Sequence, residues 1–226
     1  MKFRTIRRVA ICVISVGISI WGISQRQTYT DFLNESNGLC NFKVAEFPES
    51  LMENTLKEMN AVLPNAPFII RATAMGKKDY FFKVNQQEVL VQQVYQGEEI
   101  QVGSKINIVA GKGFMFRDIA DGRVAELTFV NEMEVGKEYL IFLEEKVDQL
   151  SKKNAEDAYY VMQTLIKPIF GYEDKENTII DVTGNYSTYV DYNLVKENEF
   201  FVTSQNALEM LMQTKHQLLD LYPKEN

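Results

Sequence analysis

Few side chains in this 226-residue chain could do nucleophilic or metal chemistry. His216 is the only histidine, set between Lys215 and Gln217, and Cys12 and Cys40 are the only cysteines. A Cys–His or Ser–His pair would have to recruit that one imidazole. A zinc site would need two carboxylates beside His216 and Cys40. Neither is expected, so His216 reads as a solvated helix residue and Cys40 as an inert or intermolecularly pairing thiol. Carboxylates are abundant instead, with 31 Asp and Glu. Asp118, Asp121 and Glu126 could gather around Asp121-Gly122, while Asp181, Asp191 and Asn193 flank a tyrosine-rich stretch. Neither set alternates as a calcium loop does, and no pair is marked as straddling a glycosidic bond. The expectation is no catalytic residue, no metal and no cofactor.

Recognition is the chemistry that remains. Tyr80 and Phe82 share one strand face while Phe81 takes the other, so one set must leave the core or meet a neighbour. Tyr159-Tyr160 poses the same question. The candidate ligand site is an aromatic patch of Tyr80, Phe82, Tyr159 and Tyr160, with Asp121 and Arg123 of the loop 119–123 beside it.

Positioning such a patch requires a sheet, and the central block reads as one. Runs at 68–75, 80–84, 89–95, 105–110, 124–130, 139–143 and 159–166 are apolar or alternating, and Asp121-Gly122 is a hairpin signal. Residues 139–143 form a nearly continuous apolar run, as a central strand buried on both faces does. Val102-Gly103 and Val135-Gly136 each precede a strand, where glycine supplies the positive φ of a tight turn. The fold class expected is mainly β, α+β overall, with a five- to six-stranded antiparallel barrel at 65–172. An amphipathic helix at 46–64 carries Met52, Leu56, Met59 and Leu63 on one stripe. The extension 173–226 ends in a helix at about 203–222, capped by Thr203 or Ser204, with Leu208, Leu211 and Leu218 on its stripe. That stripe packs on the barrel or docks a partner.

The address of the chain comes from its start. Lys2, Arg4, Arg7 and Arg8 precede an uncharged run that includes Val9, Ile11, Val13, Ile14, Val16, Ile18, Ile20, Trp21 and Ile23. A basic lead before an apolar stretch is read by export machinery and membranes alike. Residues 1–24 are thus a retained membrane anchor or a signal peptide cut after Ser24, and 25–45 is a polar tether. The four basic residues of the lead leave 20 Lys and Arg against the 31 acids, a net of −11 for the exported part. Such a surface repels phosphate backbones, which excludes nucleic acid as a partner. With Cys40 alone beyond the lead, no internal disulfide can form, a pattern of exported bacterial proteins rather than animal extracellular modules.

Val89-Leu90-Val91, Val94-Tyr95-Gln96-Gly97, Val102-Gly103 and 106–108, with Gly136-Lys137-Glu138-Tyr139 and the strand after it, resemble the netrin-like domain. That is the OB-fold barrel shared with the tissue inhibitors of metalloproteinases. The resemblance covers roughly 100 residues and implies the fold. It does not carry the inhibitors' mechanism, because the metal-clamping N-terminal cysteine and the disulfide framework have no counterpart here. The function expected is a non-catalytic binding or accessory module at the cell surface, meeting the membrane through its lead and an envelope protein or glycan through its domain. The alternatives are an extracytoplasmic hydrolase using a carboxylate pair, marked by acids lining one pocket, or an envelope protein docking through its last helix.

Overall fold

The computed structural model describes residues 14–24, 38–81, 84–110, 115–119, 122–147, 157–180 and 188–225 (backbone only at 77–81, 84–85 and 115–119). The chain divides into Met1–Gly38 and Leu39–Asn226. In the first unit, residues 14–24 are helical, and Ile14, Val16, Ile18, Ile20, Trp21 and Ile23 are exposed. Val9, Ile11 and Val13 lie outside the described residues. Among the described residues, no helix is long and apolar enough to cross a membrane.

The second unit runs β1 (Lys43–Ala45), α1 (Glu49–Val62), β2 (Phe68–Phe81), β3 (Val84–Gln96), β4 (Lys105–Ala110), β5 (Met115–Ile119), β6 (Gly122–Glu126), β7 (Glu138–Lys146), β8 (Ala158–Val161), β9 (Ile169–Gly171), β10 (Tyr189–Asp191), α2 (Tyr192–Val195) and α3 (Gln205–Leu221). Strands β2, β3, β4, β8 and β7 hydrogen-bond in that order, and β7 pairs back onto β2 to close a five-stranded barrel. Strand β9 adds to β7. The barrel is mixed, not antiparallel as expected, because β4 and β8 run parallel. Between them the chain builds β5, β6 and β7, a connection long enough for the crossover that parallel neighbours require.

Strands β5 and β6 leave the barrel for a second sheet of order β10-β1-β6-β5. Its members include Lys43–Ala45, which the sequence placed in the tether, and Tyr189–Asp191 from the C-terminal extension. Residues 178–180 form no strand, and Asp181 lies outside the described residues. The turn glycines behave as expected, with φ of +82° at Gly103 and +83° at Gly136.

Period-2 alternation divides the apolar residues between two cores. Ile70, Ala72, Ile141, Leu143 and Tyr159 point inward and fill the barrel. Ile69, Leu140, Phe142 and Phe170 point outward and are covered by Met52, Leu56, Met59 and Leu63, with Leu208, Leu211 and Leu218 of α3. The apolar run of β7 is therefore buried on both faces. Each such side chain contributes about 1.5–3 kcal/mol relative to exposure. Helix α3 starts where Ser204 accepts a hydrogen bond from the Ala207 N–H at 3.1 Å. Its apolar stripe is spent on the core.

Candidate functional site

A cleft of about 340 Å³ opens where β7 and β9 meet three connecting stretches, 130–137, 173–176 and 197–199. Tyr139 and Gly171 are paired across β7 and β9 at its base. The Tyr139 hydroxyl accepts the Glu134 N–H at 2.8 Å, and burial pushes its pKa up to about 12, so the phenol stays neutral. Gly171 sits so close to its neighbours that a Cβ would lie 3.3 Å from both the Glu173 carbonyl and Glu199 Oε1.

One wall is fixed by a buried charge pair. Lys215 is 0 % exposed, and its ammonium donates to Glu199 Oε2 at 2.6 Å and to the Glu173 carbonyl at 3.2 Å, with Asp174 at 3.0 Å. Glu199 Oε1 accepts the Gly171 N–H at 2.7 Å. Burial pushes the Glu199 carboxyl above its ordinary range, against the pull of Lys215 and Gly171. Burial also pushes Asp174 upward, but Lys215 and His216 outweigh it and hold that carboxyl below its usual value.

Three asparagines lock the loops. Asn131 donates to the Lys196 and Asn198 carbonyls, both at 2.8 Å, and accepts the Tyr192 hydroxyl at 3.0 Å. Asn198 exchanges two 2.8 Å hydrogen bonds with the Thr178 backbone, and Asn177 accepts the N–H groups of Glu199 and Phe200. Two of these amides, Asn131 and Asn198, are buried and Asn177 is half-buried; satisfied in this way they hold one loop geometry.

Eight carboxylates line the cleft against two ammoniums, Lys137 and Lys175. Several are paired: Glu173 with Lys137 at 2.6 Å, Glu134 with Lys175, and Glu138 with Lys224 at 2.7 Å. Glu176 and Glu197 make no ion pair among the described residues. A concave, pre-formed, acid-lined surface attracts a cation. Both Glu199 oxygens are committed to donors, which keeps that carboxyl from meeting a substrate proton.

Of the aromatic patch expected from sequence, the described side chains are Tyr159, Tyr160 and Arg123, and these three do not share one face. Tyr159 is 1 % exposed, a barrel-core residue whose ring meets Phe68 edge-on at 5.1 Å. Tyr160 takes the opposite face and is half-buried. Arg123 belongs to the second sheet, exposed near the start of β6, and lines a separate cleft of about 310 Å³ with Cys40, Lys43, Asp191 and Asn193. Tyr80 is opposite Asn85 in the β2–β3 ladder. Its side chain, with Phe82 and Asp121, lies outside the described residues. Asp118 is opposite Arg123 in the β5–β6 ladder. Asn193 donates to the Cys40 carbonyl at 2.8 Å. His216 is solvent-exposed and pairs with Asp174 at 3.0 Å. Among the described residues, no group of three His, Cys, Asp or Glu could hold a metal ion.

Sequence reasoning missed Glu199, Lys215 and the three asparagines. One signal was present: Lys215 occupies the apolar stripe, four residues after Leu211 and three before Leu218. A lysine there is either misplaced or paired. No protein-family model matches this chain, and no curated protein does.

Proposed function

We propose that the chain is an exported, membrane-tethered binding module, built on a netrin-like OB barrel, that takes a cationic group of an envelope ligand in the acidic cleft. The observation that carries this reading is the cleft itself. Its volume falls within the size range of ligand sites, and its walls are fixed by a buried ion pair and three satisfied amides. Its lining has eight acids to two ammoniums. The closed five-stranded barrel supports the OB-like reading, and the basic-then-apolar lead supports export. The ligand seat in this reading is the cleft where β7 and β9 meet the connecting stretches.

A carboxylate hydrolase is the second reading, favoured by the acids gathered in one concavity and by the raised Glu199 carboxyl. Against it stands the engagement of both Glu199 oxygens.

The test is titration of the full chain in detergent micelles with a fluorescent trilysine peptide and its fully acetylated counterpart. The charged probe is expected to bind, and Glu176→Gln with Glu197→Gln to weaken it several-fold, more at low salt than high. Equal binding of the two probes would overturn the reading. Release of p-nitrophenol from glycosides, lost in Glu199→Gln, would install the hydrolase in its place.

A further inference from the structure

The segment that leaves α3 lies across the outer wall of the barrel and is held there residue by residue. The Tyr95 hydroxyl donates to the Pro223 carbonyl at 2.6 Å, and the Tyr172 hydroxyl to the Tyr222 carbonyl at 2.8 Å. The Glu225 N–H donates to Gln93 Oε1 at 3.3 Å, and Arg71 Nη2 donates to the Glu225 carbonyl at 3.3 Å. The Lys224 ammonium pairs with Glu138 at 2.7 Å and lies 5.2 Å from the centre of the Tyr172 ring. Desolvation raises the pKa of both phenols, so they remain donors.

These are the contacts of peptide recognition. Side chains on β2, β3, β7 and the stretch after β9 read four main-chain groups of the segment and the side chain of one lysine. The proline presents no N–H that needs a partner. The fit is incomplete, because Arg71 Nε is buried with no hydrogen-bond partner among the described residues.

We propose that this groove is a peptide-binding site, filled in cis by Pro223–Glu225, and that a partner protein enters it with an extended Pro-Lys segment. Tyr222 stays seated, its ring 5.2 Å from Tyr95 and 5.8 Å from Phe142, while Pro223–Glu225 are displaced. Complementarity argues for this occupant: Glu138 and the Tyr172 face demand a cation, and the Tyr95 and Arg71 donors demand backbone oxygens. The inference goes beyond the cleft reading; the two surfaces share Glu138, and Glu197, which lines the cleft alone, tells them apart.

Because the cis segment is tethered, it competes at high effective concentration and masks the site. Weakening it must therefore improve binding in trans. The probe is fluorescein-labelled Ser-Pro-Lys-Glu-Ser, blocked at both ends, titrated by anisotropy into the full chain in micelles. Lys224→Ala is expected to bind the probe about fivefold tighter than the unaltered chain, as a population shift requires. Adding Glu138→Gln should abolish that gain, while Glu197→Gln should leave it intact. Lys224 is partly exposed, so folding is not at risk, and Lys224→Glu supplies a second opened form. Equal or undetectable binding to the unaltered chain and both Lys224 variants would overturn the proposal. So would loss of binding in Glu197→Gln, which would move the peptide to the acidic cleft.

Discussion

Replacing Lys215 by methionine tests whether the buried ion pair organises the cleft. Methionine keeps most of the volume and removes the ammonium, so the packing of α3 against the outer core is retained. What is lost is the partner of Glu199 at 2.6 Å and of the Glu173 carbonyl at 3.2 Å. The Glu199 side chain is 6 % exposed, so its carboxylate is left buried with only the Gly171 N–H. Breaking a buried pair on one side costs about 3–5 kcal/mol. For a domain of this size that lowers Tm by about 10 °C. Lys215→Met with Glu199→Gln is expected to recover at least half of the loss. In the double variant neither charge is buried alone, and the introduced amide oxygen can still accept from the Gly171 N–H.

The pH dependence supplies the refutation. Burial raises the folded-state pKa of Glu199 above its unfolded value, and removing Lys215 raises it further. A carboxyl of this kind favours the fold when protonated and penalises it as pH climbs through the raised folded pKa. The gap between Lys215→Met and the unaltered chain should thus be small in acid, below the ordinary Glu range, and full at neutral pH. Urea unfolding across that window is the assay. An equal gap at both ends would mean that the lysine acts through packing alone, and the electrostatic account would fail.

Two further outcomes follow from buried groups. Glu46 is 1 % exposed, and burial raises its pKa against a 2.8 Å hydrogen bond from Thr188. Its ionised form therefore weighs on the fold increasingly as pH rises, and Glu46→Gln should stabilise the chain at neutral pH by about 1 kcal/mol, measured as a higher urea midpoint. Gly171→Ala places a methyl 3.3 Å from Glu173 O and Glu199 Oε1 and should cost about 1–3 kcal/mol, read as a lower Tm, with the trilysine probe weakened in parallel.

Much of the fold was legible because local pattern decides it. The uninterrupted apolar run in β7 announced burial on both faces, the stripes of α1 and α3 announced their packing, and Gly103 and Gly136 announced turns. Strand orientation was not legible, since alternation specifies which face a residue takes and says nothing of the neighbour's direction. Hence the parallel β4–β8 pair was missed. The departure of β5 and β6 to a second sheet was missed for the same reason. Tyr159 read as a possible surface aromatic because a barrel interior and a ligand face have the same period. The cleft was invisible because its walls come from stretches far apart in the chain, 130–139, 171–176 and 197–199, joined only by tertiary structure.

Strand β7 ties the two apolar layers into one cooperative body. Leu140 and Phe142 face the helices while Ile141 and Leu143 face the lumen, so every second residue answers to a different core. Neither layer can melt while the other persists, because loosening one withdraws a wall from its neighbour. Denaturation of Leu39–Asn226 should therefore be a single event, and cutting the barrel free at its sequence boundaries would yield a sticky, misassembling fragment.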